Sequence, residues 1–357
     1  MKRIGILTSG GDCPGLNAVL FGAVRAATSL GWEVIGFKDG YEGLLGGGDY
    51  MILDRKNTTG IMAKGGTILG TTNKGHFVAK VGAGEKMAVP PAVIDESRAT
   101  LARIGVDGLI CVGGDGSLTT SLQLFEAGFK TIGVPKSIDN DLEATATTFG
   151  FDSAVACVSD CLDRLHTTAE SHKRVMVSEV MGRHAGWIAL HGGLAGGARI
   201  ILIPEIPFDL DKVAEAIIKR EEAGLLSTQV VVAEGARPKD GKQMLHVTGS
   251  GEYKLGGMGE QVAREIAKRT GKETRTCVLG HIQRGGAPTV KDRILGTQFG
   301  VKAVELIQQE KFGHMVSYQN FEVTDVSISE AVHRLRLVKP DSQMVQMSRA
   351  VGISFGD

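Results

Sequence analysis

Short apolar runs that end in glycine or aspartate, each followed by an amphipathic stretch, recur along the chain, and few folds accept that rhythm. The runs at 4–8, 34–37, 108–112 and 131–134 have the length and residue types of strands, while 16–30 and 118–127 carry apolar residues at helical spacing. Strand, turn, crossover helix and next strand build a parallel sheet, whose ligands bind beyond the carboxyl ends of the strands. A second series follows: a helix near 153–168, a strand at 175–180, a helix from 185, and strands at 200–203 and 230–233. At 357 residues the chain exceeds one domain of about 150. Two α/β lobes with a cleft between them are therefore expected. The polar, glycine-bearing stretch 238–257 lacks periodicity and is expected to be a surface excursion.

Charge narrows the function. Lys plus Arg and Asp plus Glu are 40 each, so no overall field holds nucleic acid or an anionic membrane. An anion site has to be local. No apolar run approaches the ~20 residues that span a bilayer, and the start MKRIGILTSGGD lacks the apolar region and cleavage site of a secretory signal, so a cytoplasmic protein is expected. The five cysteines, Cys13, Cys111, Cys157, Cys161 and Cys277, form no CxxC or CxxH pair, which argues for reduced, structural thiols. The 50 glycines gather at strand ends, where bare backbone can approach a ligand.

Four segments can carry chemistry. Ser9-Gly10-Gly11-Asp12 lies between a strand and a helix, where backbone amides and the helix dipole favour an anion; a tight packing turn explains it equally well. Gly113-Gly114-Asp115-Gly116-Ser117 sets one hard carboxylate among glycines, as a polyphosphate with its magnesium needs, against the simpler reading of an acidic turn with Ser117 as helix cap. Pro135-Lys136-Ser137-Ile138-Asp139-Asn140-Asp141 combines a cation with two carboxylates two positions apart, although an Asx-rich turn is the commoner use of such residues. Arg174, Arg183, Arg275 and Arg284, with His281 and Glu234, all fall near strand ends. A lone arginine there is usually a surface ion-pair member; four suggest a sugar phosphate.

TSGGDCPGLNAV, GGDGS, PKSIDND, SHKRVMVSEVMGR and ETRTCVLGHIQRGG, in that order, resemble the phosphofructokinase family from Arg3 to about Arg293. The resemblance implies two Rossmann-like lobes with mainly parallel sheets and an active site in the interlobe cleft. Residues 1–150 plus 283–333 would bind the phosphoryl donor, and 151–282 plus 334–357 fructose 6-phosphate. It implies Gly11 at the donor's terminal phosphate, Asp115 as ligand of Mg2+, and Gly114, Gly116 and Ser117 as phosphate cradle. Asp139 would be the base on the sugar 1-hydroxyl, with Ser137 and Ile138 beside it, Asp141 assisting the metal, and Lys136 and Arg183 nearest the moving phosphoryl group. Met181, Gly182, Arg183 and Glu234 would hold the sugar, and His281 and Arg284 its 6-phosphate. Arg174 and Arg275 would reach a neighbouring subunit's site in a dimer or homotetramer. The implied product of this glycolytic step is fructose 1,6-bisphosphate.

Family members use ATP or pyrophosphate. Gly116 leaves room for ATP, which an aspartate there would crowd and repel; Tyr41 matches a nucleotide-contacting position and points the same way. Lys136 is the residue of pyrophosphate users, so a diphosphate-dependent enzyme is the alternative. Where many relatives carry a phosphate-bridging arginine, this chain has Asn73 and then Lys74, and either Lys74 or Lys136 is expected to supply the charge. The family's effector-site positions hold Phe21, His166, Ser227 and Gln229, with Arg25 and Arg55 retained, so weak or absent control by ADP and phosphoenolpyruvate is expected. An NAD or lipid kinase shares the GGDG loop but lacks PKSIDND and the arginines. A silent sugar-phosphate sensor has no use for Asp115 and Asp139.

Overall fold

The computed structural model describes residues 2–77, 87–239, 241, 245–247, 253–255 and 257–357. The chain begins β1 (Arg3–Thr8), α1 (Leu16–Ser29), β2 (Glu33–Phe37), β3 (Tyr50–Leu53), α2 (Pro91–Ile104), β4 (Gly108–Gly113), α3 (Asp115–Glu126), β5 (Thr131–Ser137), β6 (Phe149–Gly150) and α4 (Phe151–His172). It continues β7 (Val175–Val180), α5 (Trp187–Ala195), β8 (Ile200–Leu202), α6 (Leu210–Glu222), β9 (Thr228–Ala233), β10 (Leu245–Val247), β11 (Tyr253–Leu255), α7 (Met258–Thr270) and β12 (Thr274–Val278). It ends α8 (Val290–Gln308), β13 (His314–Gln319), β14 (Glu322–Ser327), α9 (Ile328–Ala331) and α10 (Gln343–Ala350).

Two compact units divide the chain: unit 1 holds 1–138, 142–153 and 284–335, and unit 2 holds 139–141, 154–283 and 336–357. The sheet of unit 1 runs β14-β13-β5-β4-β1-β2-β3, with β6 also on β5. Its inner pairs are parallel, and only β3 and β14 are added antiparallel. Unit 2 has a four-stranded sheet, β12-β7-β9-β8, parallel throughout. β4, β7 and β9 are buried at every position, the state that continuous Val/Ile/Leu runs produce when helices cover both faces. The fold is thus α/β with mainly parallel sheets. Of the stretch 238–257, part lies outside the described residues; its described part includes the hairpin β10/β11.

Two elements differ from the sequence reading in ways that matter for the site. β5 does not stop at 134 but continues through Pro135 to Ser137. Proline is rare inside a sheet because it donates no hydrogen bond. Here the Leu109 N–H donates to the Lys130 carbonyl and the Gly313 N–H to the Thr131 carbonyl, so odd-numbered residues of β5 face away from β4. On that side β13 pairs only at Ile132 and Gly133 and β6 only at Lys136 and Ser137, and the missing Pro135 donor falls in the gap. Helix α3 starts at Asp115 with Gly114 as cap, not after Ser117, because an aspartate in the first turn is favoured by the helix dipole.

Helices α1 and α8 touch backbone to backbone. A Cβ on Gly22 would stand 2.2 Å from the Thr297 carbonyl oxygen, and one on Gly300 2.2 Å from that of Val19. These glycines serve helix packing rather than ligand approach.

Candidate active site

The carboxyl ends of β5, β4, β1 and β2 lie in that order along the sheet of unit 1, and the loops beyond them line one cavity of about 230 Å³. Gly11, Tyr41, Lys74, Gly114, Asp115, Gly116, Ser117 and Lys136 all border it, so the structure brings the expected donor-binding residues together. Lys136, last but one in β5, is 5% exposed, and its ammonium donates to the Gly11 carbonyl at 2.6 Å. Gly10 takes a left-handed φ of 84°, and a Cβ on it would lie 3.3 Å from Ser117 Oγ and 3.5 Å from Lys136 Nζ, so glycine suits this turn. The Gly10 N–H donates to the Thr72 carbonyl (3.0 Å) and Thr71 Oγ1 to the Gly10 carbonyl (2.6 Å), tying the turn that carries Asn73 and Lys74 to the first glycine loop.

Tyr41 is 2% exposed, donates its hydroxyl to the Ser117 carbonyl at 2.7 Å and stacks on Phe77 with ring centroids 5.4 Å apart. Burial pushes its phenol well above the ordinary value, so the hydroxyl stays a donor. Arg284 belongs to unit 1, where it donates to the Asp12 carbonyl at 3.0 Å. Ser137 is half-buried, its carbonyl accepting from Thr148 Oγ1 at 2.6 Å. Ile138 is a core side chain packed beside Gly150.

Unit 2 gathers a second set at the carboxyl ends of its strands. Met181, Gly182 and Arg183 follow β7 and Glu234 follows β9; the Glu234 N–H donates to Val180 and the Gly235 N–H to the Gly182 carbonyl (2.8 and 3.1 Å). Any side chain at 235 would collide with the Arg183 carbonyl at 2.0 Å. His281, exposed, lies in the 3-10 turn after β12. Asp139 and Asp141 are half-buried on either side of Asn140, whose left-handed φ of 52° asparagine tolerates. The Asp141 carbonyl accepts from the Arg336 N–H at 2.9 Å.

The remaining arginines stand apart. Arg174 precedes β7 and Arg275 lies in β12, at the amino end of the parallel sheet, roughly 20 Å of strand from Arg183. Both pair with Glu273, at 2.8 and 2.5 Å. Of the effector-site positions, Arg25 lies over the Phe21 ring and bonds the Arg55 carbonyl in unit 1, while His166 sits beside Gln229 in unit 2.

Glu42, Phe77 and Thr120 also line the cavity, and sequence reasoning missed them. Glu42 was visible only as the neighbour of Tyr41 in DGYEGL. Among the described residues no three His, Cys, Asp or Glu side chains cluster as a metal site. Asp115 and Glu42 are the carboxylates among the described residues that line the cavity, and Glu42 is already engaged by His76. A divalent ion here would have Asp115, water and a ligand's phosphates, the hard, water-rich set that suits a small oxygen-seeking cation.

A family profile described as phosphofructokinase matches residues 3–307. The chain is 49% identical over 356 residues to the ATP-dependent 6-phosphofructokinase of Chloroflexus aurantiacus, covering 100% of this chain and 98% of that one. It is 47% identical to the pyrophosphate–fructose 6-phosphate 1-phosphotransferase of Amycolatopsis methanolica, over 95% and 97% of the two chains. The structure of phosphofructokinase from Saccharomyces cerevisiae superposes with a TM-score of 0.81 at 30% identity, covering 93% of this chain and 45% of the yeast chain. With two glycine loops, a buried lysine and a first-turn helix aspartate at the carboxyl end of one sheet, and a profile match across most of its length, the chain belongs to the phosphofructokinase family.

Proposed function

We propose that the protein is an ATP-dependent 6-phosphofructokinase, transferring the γ-phosphoryl group of ATP to the 1-hydroxyl of fructose 6-phosphate to give fructose 1,6-bisphosphate and ADP. The observation that carries this is the cavity of unit 1, where glycine loops, Asp115 and Lys136 meet. The near-half identity to ATP-dependent relatives supports it.

Phosphoryl transfer passes through a loose transition state with charge spread over the equatorial oxygens, so the protein's work is positioning and charge neutralisation. Lys136, with Lys74 at the cavity edge, supplies cations; Gly11, Gly114 and Gly116 bring bare backbone to the donor's phosphates, and Ser117 adds a hydroxyl. Asp115, with Asp141 assisting, would hold Mg2+, which neutralises the donor's phosphates when bound. Asp139 takes the proton of the sugar 1-hydroxyl, with Ser137 and Ile138 beside it. Arg183, Met181, Gly182 and Glu234 hold the sugar, and His281 and Arg284 its 6-phosphate. Arg174 and Arg275, at the far end of their sheet, serve the site of a neighbouring copy in a homo-oligomer. The reaction is assigned to the cytoplasm, where five free cysteines stay reduced.

Lys136 keeps pyrophosphate in view as donor, and so does the 47% identity to a pyrophosphate-using relative. One assay decides: turnover of parent and D139N with ATP and with pyrophosphate. The parent is expected to use ATP, and D139N to lose about 10²–10⁴ in kcat, the span of general-base catalysis. Full activity in D139N would remove Asp139 as base.

A further inference from the structure

We propose that Glu42, oriented by His76, accepts hydrogen bonds from the ribose hydroxyls of the nucleotide donor and thereby helps the cavity to tell a nucleotide from inorganic pyrophosphate. This rests on the ATP reading above and adds a recognition residue to it.

The cavity is chemically divided. Beyond β5, β4 and β1 it offers what phosphate with a divalent cation needs: the Lys136 ammonium, the first turn of α3 with the Asp115 carboxylate to hold the cation, and glycine-rich loops. Beyond β2 it offers the opposite: the buried Tyr41 ring, stacked on Phe77, and the Glu42 carboxylate. A carboxylate repels phosphate oxygens but is acceptor-only toward hydroxyls. Three inter-strand steps of about 4.8 Å put β2 roughly 14 Å from the β5 backbone. The far end of the cavity therefore suits the part of a donor that is not phosphate. In dinucleotide-binding α/β folds an acidic side chain takes the ribose hydroxyl in the same way.

Glu42 is also held for the task. Its Oε1 accepts from the His76 N–H at 2.7 Å and its Oε2 from His76 Nδ1 at 2.9 Å. Each oxygen keeps lone pairs for a further donor. A Cβ at position 75 would lie 2.2 Å from Glu42 Oε1, so Gly75 lets the chain close over the carboxylate. A plain surface ion pair would leave both partners in solvent; Glu42 is 26% exposed and lines the cavity, while His76 is 66% exposed.

The test compares kcat/KM for ATP and for 2′,3′-dideoxy-ATP in parent, E42A and E42Q, with melting temperatures to confirm folding. The parent should prefer ATP by about tenfold or more, the worth of a charge-assisted hydrogen bond. E42A should bring the ratio below about threefold, with E42Q between, since glutamine keeps one acceptor oxygen. A parent that treats both nucleotides alike, or an unchanged ratio in E42A, overturns the proposal; if E42A does not fold, an unchanged ratio in E42Q does so. A parent active with pyrophosphate and inert with ATP overturns the donor reading instead, and this proposal with it.

Discussion

Lys136 sits in a strand, almost wholly buried, with its ammonium on a backbone carbonyl. Its position beside two glycine loops, bordering the cavity, suits a site that receives negative charge. Lys74 is exposed on a turn bonded to the first of those loops, a position from which a flexible cation reaches a bound phosphate. K74M should therefore lower turnover with ATP at least tenfold, measured at saturating fructose 6-phosphate. Unchanged turnover would leave the role to Lys136. Cys13 and Cys111 are buried, and burial pushes their thiols up to about 12 and about 11, so neither competes as a nucleophile.

At the first turns of α4 and α8, one buried carboxylate joins two helices. Asp292, 1% exposed, accepts from the Ser153 N–H at 2.8 Å and from Ser153 Oγ at 2.6 Å, and that hydroxyl accepts from the Thr289 N–H at 3.0 Å. Burial pushes the Asp292 carboxyl up from 3.8 to about 6. Between those values the folded chain holds a proton that the unfolded chain has lost, so this group's contribution to stability falls as pH rises through the window and is level above it. The melting temperature of D292N relative to the parent should thus climb between about pH 4 and pH 6 and then stay flat; a difference independent of pH would show that Asp292 titrates normally. The α1–α8 contact makes a simpler prediction. G22A, by driving a methyl into the Thr297 carbonyl, should cost about 1–3 kcal/mol and several degrees of melting temperature. Neither contact was legible in the sequence, because Asp292 and Gly22 acquire partners more than a hundred positions away. The strands were legible, since residues buried on both faces must be apolar throughout. The end of β5 was not: Pro135 reads as a stop unless the gap between β13 and β6 is known. In the site, GGDGS and PKSIDND stood out by composition, whereas Glu42 became visible only when the fold set β2 beside β1.

Taken whole, the chain places Arg174 and Arg275 at the amino edge of the sheet in unit 2 and Arg183 with Glu234 at the carboxyl edge. If the first pair completes a neighbour's site, two inactive variants should repair each other. Mixed subunits of R275A and D139N are expected to regain about a quarter of parental activity, the share of intact sites from random pairing in a two-fold dimer; no recovery would confine each site to one chain. The interrupted course of unit 1 has a consequence during synthesis. Its helix α1 leaves the ribosome before its partner does, since Thr297, against which Gly22 packs, lies 275 positions later. At about 5–20 residues per second, α1 waits roughly 15–55 s for its partner. Through that interval an apolar helix face and the β5 edge that β13 will cover are open to solvent. Chaperone binding to nascent chains should therefore be strongest before residue 297 emerges and fall once β13 has followed.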